Sequence, residues 1–391
     1  MTAMCLKAGL LAAACGLSIS AAAQPITKLG AIGDSLTDEY AEQGYGSYAM
    51  SWTELLVDLR GIDMGPTAAQ AGVGDWGEPR RTMYEDNWAR YSATTDDAIS
   101  TGQHTGVAQG ATTRGVSHIV IFIGGNDFGP AHGPYADVYE GNWTQNQINA
   151  HVGQKLANAE AIMDVAIASG AKVLVANLFD FGAMVSVERA YQDPAKRQLA
   201  SAMYDEFSLH VVEMAMAREM PVLDMLALNR AIFGTHGENH EYLVIAGRNI
   251  KLNQKGTDGT PDRAFVNDGT HPRTTIQGVW CNAFITALNL AYDTNIQPLS
   301  ETEILATVGL TPSGPDALDG QLGDLSQYVI LPPTQPGCDA DTNGDGVLSP
   351  ADFSAWVSAF NAMAPACDQN GDGSCTPADF SAWVANYNAG C

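Results

Sequence analysis

The sequence predicts an α/β fold with a parallel sheet for most of the chain, followed by a small all-α module at its end. Three observations lead to this prediction. Short apolar runs alternate with long segments of helical periodicity as far as about residue 310, a proline-rich stretch follows, and a short motif then occurs twice. The 391 residues suffice for one α/β domain of about 250 to 300 residues and a small appendage.

The predicted strands and helices follow one another in the order expected for a parallel sheet. Each strand is a short apolar run, and each helix has apolar residues at intervals of three and four positions. The predicted strands are residues 26–32, 118–123, 172–178 and 221–224, and the predicted helices are residues 51–59, 147–168, 195–218 and 274–291. Right-handed crossovers bring the carboxyl ends of parallel strands to one edge of the sheet, where functional groups gather.

Composition and charge limit the classes of function. Acidic residues number 44 against 19 lysines and arginines, which gives a formal net charge of -25, and no basic run occurs. A chain of this charge is not suited to bind nucleic acid. The hydrophobic share of 46% is that of a globular protein with ample material for a core. We therefore expect a globular protein with no nucleic-acid partner.

The first 23 residues have the pattern of a secretory signal peptide. Lys7 precedes the apolar residues 8–17, and small residues up to Ala23 offer a cleavage site. The apolar stretch is too short to span a bilayer, and no later segment is long enough. We predict a secreted protein, extracellular or periplasmic, with no transmembrane segment in the mature chain. Its cysteines would then meet an oxidising compartment.

A serine follows the first predicted strand, in the run Gly33-Asp34-Ser35. A serine hydroxyl is a poor nucleophile unless a base, a group that orients the base and oxyanion donors accompany it. Asp268 lies three residues before His271, in a turn just ahead of the last predicted helix. That spacing lets the carboxylate accept the Nδ1 proton of the imidazole, which leaves Nε2 free to take a proton from a serine.

Asn126 follows two glycines at the end of the predicted strand 118–123. Its side-chain amide is suited to donate a hydrogen bond to a developing oxyanion. The blocks 33–36, 125–127 and 268–271 occur in the order and setting that define the SGNH or GDSL-type lipase/esterase family, which residues 27–296 of this chain resemble. The resemblance implies a flavodoxin-like three-layer α/β/α sandwich, and we assign a hydrolase domain to residues 24–310.

The resemblance also implies roles for individual residues. Ser35 corresponds to the nucleophile of the family, His271 to its general base and acid, and Asp268 to the residue that orients the histidine. The oxyanion hole of the family combines the backbone N–H of the nucleophile, the amide at the position of Asn126, and a backbone N–H from a glycine in another block.

That other block departs from the family pattern. Residues 87–95 resemble it but carry Ser92 where the family has glycine, whereas Gly110, in a rival run, retains the glycine. Too few positions separate Gly110 from Asn126 for the helix and strand that must lie between the two blocks. We therefore assign Ser92, whose N–H can still donate. Its side chain should narrow the pocket, or strain the backbone if φ is positive.

Beyond residue 310 the composition becomes that of a linker and then of a repeat. Residues 311–337 contain five prolines and few helix formers, which predicts a semi-extended linker, with residues 328–331 as the part that can still pack on the domain. Residues 338–391 contain two copies of a motif with oxygen-bearing residues at loop positions 1, 3, 5, 9 and 12 and glycine at 6, the pattern of an EF-hand-type calcium loop, with a carbonyl at 7. The predicted calcium ligands are Asp341, Asn343, Asp345, Val347, Ser349 and Asp352 in the first copy, and Asp368, Asn370, Asp372, Ser374, Thr376 and Asp379 in the second.

Aspartate at loop position 12 makes the pair resemble the loop–helix repeats of dockerin modules. The resemblance implies a small all-α, EF-hand-like module with two Ca²⁺ ions and, as its partner, a docking protein or cell-surface scaffold. Both copies have Pro-Ala at positions 10 and 11, where dockerins often select a partner through hydroxyl groups. Two disulfides are expected in this module, with three connectivities open among Cys338, Cys367, Cys375 and Cys391.

Two classes of function follow from these observations. The first is a secreted serine ester hydrolase that forms an acyl-enzyme on Ser35 and needs no cofactor for catalysis. Its substrates would be carboxylic esters, such as acetyl or short acyl esters of polysaccharides or lipids. The alternative is a non-catalytic, calcium-dependent adhesion or scaffold protein whose α/β domain binds without catalysis.

Overall fold

The structure is a computed structural model that describes residues 25–45, 48–235, 238–332, 339–343 and 348–389. The predicted signal peptide lies outside the described residues. Within them, the strands are β1 (Leu29–Gly33), β2 (His118–Phe122), β3 (Lys172–Ala176), β4 (Val222–Leu223), β5 (Gly234–Thr235), β6 (Glu238–Asn239), β7 (Tyr242–Ile245), β8 (Arg248–Lys255), β9 (Arg263–Phe265) and β10 (Val329–Ile330). The helices are α1 (Trp52–Arg60), α2 (Thr95–Ser100), α3 (Gln103–Thr113), α4 (Gly125–Phe128), α5 (Tyr135–Tyr139), α6 (Gln145–Ala168), α7 (Val185–Ala190), α8 (Pro194–Met216), α9 (Met225–Phe233), α10 (Thr274–Tyr292), α11 (Glu301–Thr307), α12 (Leu318–Leu322), α13 (Pro350–Ala362) and α14 (Pro377–Ala389).

The central sheet has five strands in the order β1-β2-β3-β4-β10. Strands β1 to β4 are parallel, in a register that places Val120 between Ala31 and Leu174. The segment at Asn87 forms a parallel bridge to Ala31 on the other side of β1. Because this segment follows β1 in the chain and precedes β2, the spatial order approaches the 2-1-3-4-5 order of flavodoxin-like folds.

Helices cover both sides of the sheet. Helix α6 packs against α3 and α8, whereas α10 packs against α1 and α11. Strand β2 separates the two layers, because its side chains alternate between the faces of the sheet. The ring of Phe122 contacts Trp280 and Phe284 of α10, and the buried Ile119 and Ile121 point to the opposite face. The predicted α/β fold, with a mostly parallel sheet and helices, is confirmed.

The prediction of a sheet with parallel strands only is wrong at one edge, where strand β10 lies. It pairs antiparallel with β4, with Val329 opposite Leu223. The packing of this segment on the domain could be expected from its apolar residues, but its pairing as a strand could not, because β10 has only two residues. A two-residue strand can add to an existing sheet edge without a periodic pattern of its own.

The prediction of a linker is wrong for the segment between residues 311 and 327, which packs on the domain just as residues 328–330 do. Leu318, Leu322 and Tyr328 are buried in the core of the α/β domain. The carboxylate of Glu301 accepts hydrogen bonds from the backbone N–H of Leu318 and of its predecessor, at 2.7 and 2.6 Å. Well-spaced apolar side chains therefore hold this segment on the domain despite its prolines, so the domain continues past residue 310. Residues 333–337 of the predicted linker lie outside the described part of the chain.

The described C-terminal residues form a separate small core between α13 and α14. Ala340, Trp356 and Trp383 are buried there, and the two indole N–H groups donate to the carbonyl oxygens of Cys367 and Ala340 at 3.2 and 3.1 Å. Cys367 and Cys375 form a disulfide. Cys338 and Cys391 lie outside the described residues. Across the described segments, none of the helices combines the length and the apolar character needed to cross a bilayer.

Candidate active site

Ser35 lies directly beyond the carboxyl end of β1. The backbone N–H groups of Thr37 and Asp38 donate to the carbonyl of Asp34 at 3.1 and 2.9 Å, so the chain turns sharply at the serine. Gly33 is required for this turn, because a Cβ at that position would lie 2.6 Å from Cβ of Thr37. The tight turn presents the hydroxyl of Ser35 at the strand end, the edge at which the sequence predicts the site.

The structure brings His271 and Asp268 to this serine. Nε2 of His271 lies 2.7 Å from Oγ of Ser35, and its Nδ1 lies 2.6 Å from Oδ2 of Asp268. The other carboxylate oxygen, Oδ1, accepts the backbone N–H groups of Thr270 and His271 at 2.7 and 3.1 Å. Asp268 thus fixes both its own loop and the imidazole, as its spacing from the histidine predicts.

The turn that carries this pair is built by Gly269, whose φ is +78°, a left-handed conformation that glycine adopts without strain. It ends at the antiparallel bridge between Phe265 and Pro272, just before α10. Burial opposes the charge on Asp268, but the hydrogen bond and the proximity of His271 outweigh it. The pKa of this carboxyl therefore lies well below its usual range, which keeps it ionised beside the imidazole.

Tyr45 is a residue of this site that the sequence did not indicate. Its hydroxyl donates to Oδ2 of Asp268 at 2.6 Å and lies 2.7 Å from Nδ1 of His271. Its ring is buried and packs edge-on against Tyr40, with centroids 5.3 Å apart. No motif surrounds Tyr45 in the sequence, and its partners lie more than two hundred positions away, so only the folded loop reveals the contact.

Ser92 and Asn126 reach the same cleft. Asn126 lies in α4, immediately after β2, and its Nδ2 donates to the carbonyl of Ala93 at 3.0 Å. An amide nitrogen has two N–H groups, so one remains for a ligand. Ser92 has a φ of +65°, the left-handed region that the family glycine would occupy without strain. The rival Gly110 lies inside α3, away from the cleft.

Buried carboxylates hold the loops around Ser92 in place. Oδ2 of Asp38 accepts the backbone N–H of Tyr91 at 2.7 Å, and the carboxylate of Asp127 accepts both the N–H and the hydroxyl of Thr95, at 2.8 and 2.9 Å.

Asp34, next to the serine, accepts the N–H of Leu36 at 2.9 Å. Burial raises the pKa of Asp34 and that of Asp38 to about 7.

The cleft above the serine is small and partly apolar. Its volume is about 240 Å³, and it is lined by all five predicted residues, Ser35, Ser92, Asn126, Asp268 and His271. Its apolar wall comes from Phe181, Met184 and Val187, in and before α7, and from Pro130 and Ala131 after α4. The site therefore combines a hydrogen-bonded Ser–His–Asp series, amide donors and room for a small apolar group.

The predicted calcium ligands lie in the C-terminal module. In the second loop, Asp368 accepts the backbone N–H of Asp372 and Gly373, and Asp379 accepts those of Asn370 and Thr376. The first loop has the corresponding bonds from the N–H of Asn343 and Ser349 to Asp352. Ser374 donates its N–H to Asp372 in the second loop at 2.9 Å, and Asp341 belongs to the first loop. Asp345 and Val347 lie outside the described residues. Within the described ranges, no group of three or more His, Cys, Asp or Glu side chains is arranged to hold a metal ion.

A hydrogen-bonded Ser–His–Asp series at the ends of parallel strands is an arrangement typical of serine hydrolases, which occur on several unrelated folds. The family described as GDSL-like Lipase/Acylhydrolase matches residues 29–283, more than half of the chain. The chain belongs to this family and is a carboxylic ester hydrolase. Membership decides between the two classes of function in favour of the enzyme. A comparison with curated proteins found no match.

The solved structures to which this chain is similar include an acetylxylan esterase, a lipase and an α/β hydrolase. A catalytic mutant of an acetylxylan esterase from Geobacillus stearothermophilus is 16% identical, with 66% of this chain and 92% of that chain covered and a TM-score of 0.36. The extracellular lipase from Streptomyces rimosus is 17% identical, with 56% of this chain and 88% of that chain covered and a TM-score of 0.32. An α/β hydrolase from the metagenome of Lake Arreo, Spain, is 14% identical, with 66% and 93% covered and a TM-score of 0.37.

Proposed function

We propose that Ser35, His271 and Asp268 are the catalytic triad of this hydrolase. The observation that carries the proposal is the unbroken series of short contacts, 2.7 Å from Oγ of Ser35 to Nε2 of His271 and 2.6 Å from Nδ1 to Asp268. In this geometry the imidazole accepts the serine proton while the carboxylate holds Nδ1–H and stabilises the imidazolium that forms.

The reaction proceeds through an acyl-enzyme. Oγ of Ser35 attacks the ester carbonyl as His271 takes its proton, and the carbonyl oxygen becomes an oxyanion. His271 then protonates the leaving alcohol, the C–O bond of the ester breaks, and the acyl group remains on Ser35. A water molecule, deprotonated by the same imidazole, attacks the acyl carbon and releases the acid. No cofactor enters any of these steps.

The oxyanion is stabilised by three N–H donors, the backbone groups of Ser35 and Ser92 and the free N–H of Asn126. Each such donor typically contributes about 3 kcal/mol to the stability of the transition state. Ser92 replaces glycine without loss of the donor, because substitution changes the side chain and leaves the backbone N–H. The left-handed φ of Ser92 supports this role, since it is the conformation that a glycine in this block would have.

The substrates we propose are acetyl or short acyl esters. A cleft of about 240 Å³ lies below the roughly 300–1,000 Å³ of pockets that hold drug-sized ligands, so it suits a small acyl group better than a long chain. The alcohol would belong to a polysaccharide or a lipid, which extends beyond the cleft.

Hydrolysis of 4-nitrophenyl acetate, butyrate and laurate by the purified protein tests this proposal. We expect kcat/KM to fall with acyl length, and Ser35→Ala to lower kcat by at least about a thousandfold. Ser100→Ala, at the exposed end of α2, is the matched control and should behave as the wild type. Full activity in Ser35→Ala would overturn the assignment of the nucleophile, and a preference for laurate would overturn the short-acyl class.

We also propose that the C-terminal module binds two Ca²⁺ ions and attaches the enzyme to a docking protein or a cell-surface scaffold. The order of donor types in each loop supports this, as do Gly371 and Gly373, whose φ values of +73° and +82° allow the second loop to fold tightly. Asp352 and Asp379 are fully buried, which fits carboxylates that face an ion and their own loops. The Ca²⁺ ions would supply structural stability only.

Secretion is part of the same proposal. The N-terminal pattern supports export, and the disulfide between Cys367 and Cys375 fits an oxidising compartment. A tagged full-length protein expressed in a bacterial host should lose residues 1–23 and appear in the periplasm or the medium. Retention of the intact N-terminus in the cytoplasm would contradict secretion.

A further inference from the structure

A pocket lined by basic residues lies next to the catalytic cleft. Arg189, Lys255 and Arg263, together with Asn253 and Gln254, enclose about 480 Å³. The chain has only 19 lysines and arginines against 44 acidic residues, so three cations around one pocket are a marked local reversal of its charge. Such a pocket attracts an anion even where the molecule as a whole is acidic.

Among the described residues, none of the three cations forms an ion pair with a carboxylate, although the charge of Arg263 is felt by Asp262 and helps to lower the pKa of that carboxyl. Lys251, on the same strand β8, provides the contrast, because its Nζ lies 2.6 Å from Asp262. Arg263 donates to the carbonyl of Lys255 at 2.8 Å, but its Nε is buried and has no hydrogen-bond partner within the described part of the chain. A buried donor without an acceptor is costly and leaves the charge of this guanidinium poorly compensated, and an oxyanion in the pocket would compensate that charge.

The pocket and the catalytic cleft share a wall. Arg189 belongs to α7, whose Ser186 and Val187 line the cleft. The N–H of Ser186 donates to the carbonyl of Gly269 at 2.9 Å, within the loop that carries Asp268 and His271. A Cβ on Gly269 would lie 3.1 Å from Cδ of Lys255. Helix α7 and this loop thus contact both sites, and the diameter of a helix, about 10 Å, sets the scale of their separation.

We propose that this pocket is a subsite for an anionic group on the alcohol part of the ester, a carboxylate or sulfate carried by a polysaccharide. The inference rests on the proposed function, because it names the substrate class of the same Ser35 site. In a saccharide that is acylated on one unit and charged on the next, the ester and the anionic group are separated by a distance similar to that between Ser35 and the pocket. Arg189 and Lys255 would place the anion, which fixes the position of the acylated hydroxyl over the serine.

Three acetylated polymers with the same backbone test the subsite. Acetylated dextran is neutral, acetylated carboxymethyl dextran carries carboxylates, and acetylated dextran sulfate carries sulfates. We expect kcat/KM for at least one of the two anionic polymers to exceed that for the neutral polymer by about tenfold or more. The anionic polymer with the larger kcat/KM relative to the neutral polymer shows whether the pocket prefers a carboxylate or a sulfate. Equal values for all three polymers would overturn the proposal.

Variants separate the pocket from the general charge of the protein. The double substitution Arg189→Ala with Lys255→Ala should lower the anionic-to-neutral ratio about tenfold, mainly through KM, and Arg189→Glu should lower it further. Lys251→Ala, which removes a paired lysine from the same strand, should keep the ratio of the wild type. An unchanged ratio in the double variant would overturn the subsite.

Binding and turnover distinguish the two proposals. Binding of fluorescein-labelled carboxymethyl dextran and dextran sulfate, followed by fluorescence anisotropy with Ser35→Ala, reports on the pocket without catalysis. Loss of binding in the double variant supports the subsite, whereas absence of any binding overturns it. If 4-nitrophenyl acetate is hydrolysed as fast by Ser35→Ala as by the wild type, the proposed triad fails, and the anisotropy result still decides the subsite.

Discussion

The hydroxyl of Tyr45 lies 2.6 Å from Oδ2 of Asp268, the same oxygen that faces Nδ1 of His271. Asp268 therefore accepts two side-chain hydrogen bonds at one oxygen, and two backbone N–H groups at the other. Tyr45 lies opposite the loop 268–271 and ties it to the segment that follows Ser35. We interpret it as a positioning residue, which acts on the reaction through Asp268 and His271.

Tyr45→Phe removes this hydrogen bond and keeps the ring. We expect kcat to fall about 3- to 30-fold with KM nearly unchanged, because the imidazole is less firmly oriented. With one donor fewer, the carboxylate of Asp268 keeps more of its negative charge, which stabilises the protonated form of the imidazole. The acid limb of the profile of kcat/KM against pH should therefore move to higher pH.

The pH profile separates this role from simple packing. Tyr40→Phe, at the neighbouring buried ring that contacts Tyr45, serves as the matched control, because its hydroxyl bonds to Gln277 and not to the triad. It should alter stability without moving the acid limb. The same acid limb in Tyr45→Phe as in the wild type would show that Tyr45 only fills space.

Ser92 has a left-handed backbone conformation that favours glycine. We therefore expect its substitution by glycine to stabilise the fold. Ser92→Gly should stabilise the fold by about 0.5–1 kcal/mol, because a left-handed φ costs an L-residue roughly 1 kcal/mol or more that glycine does not pay. Activity should stay within about threefold, since the backbone N–H remains. Denaturant unfolding measures the first effect and ester hydrolysis the second.

Substitution of serine by glycine at a position with a right-handed helical conformation should have the opposite effect on stability. Ser100→Gly, at the end of α2, should destabilise the fold by about 0.5–1 kcal/mol, because glycine gains freedom in the unfolded chain. Destabilisation by Ser92→Gly, or a large loss of activity, would mean that the hydroxyl of Ser92 itself has a role in the site.

The raised pKa of Asp34 predicts that the folded protein loses stability as the pH rises. Burial raises its pKa from the usual 3.8 to about 7 in the folded protein, so between these values the folded state holds a proton that the unfolded state has lost. The stability from this group is complete below about pH 4 and is lost as the pH passes through 7. Asp38, whose pKa is also raised to about 7, acts in the same direction.

Asp34→Asn should flatten this dependence, because the amide oxygen can still accept the N–H of Leu36 and no charge appears. We expect the free energy of unfolding of the variant, relative to that of the wild type, to rise by on the order of 1–4 kcal/mol between pH 4 and pH 8. Urea unfolding at each pH measures it. Parallel curves for the two proteins would contradict a raised pKa at Asp34.

Removal of calcium should destabilise the C-terminal module. With EGTA, we expect the part of the near-ultraviolet signal that Trp356 and Trp383 contribute to melt at a lower temperature, because the carboxylates of each loop would repel one another without the ion. The difference between melting curves with and without EGTA isolates that part from the signal of the other tryptophans. Asp379→Asn should have the same effect on the second loop, and Asp319→Asn, on α12 of the catalytic domain, serves as the control. A melting temperature unaffected by EGTA would rule out the calcium sites.

The parts of the fold that follow from the sequence are those with a repeated local signal. The apolar runs of β1, β2 and β3 and the long helices α6, α8 and α10 were predicted because buried elements impose periodicity on their residues. Ser35, Asn126, Asp268 and His271 were predicted because each follows or precedes such an element within a short motif, and the structure places all four at one cleft.

The missed features depend on long-range contacts. Tyr45 meets Asp268 only because a loop folds back over the strand ends, and Arg189 and Lys255 meet only because α7 packs on β8. For residues 328–331 the sequence pattern allowed packing on the domain but not strand β10, because two residues are too few to show the period of a strand. Local patterns carry no information on such pairings, since neither partner constrains the residues beside the other.

Covalent labelling tests the central claim, that Ser35 is a nucleophile activated by His271 and Asp268. The wild type treated with a fluorophosphonate should gain the mass of one adduct, located by peptide mapping to Ser35. Ser35→Ala should gain none, and His271→Ala should react at least about a hundredfold more slowly while keeping the melting temperature of the α/β domain. Stoichiometric labelling of Ser35→Ala, or an unchanged rate in His271→Ala, would contradict the proposed triad.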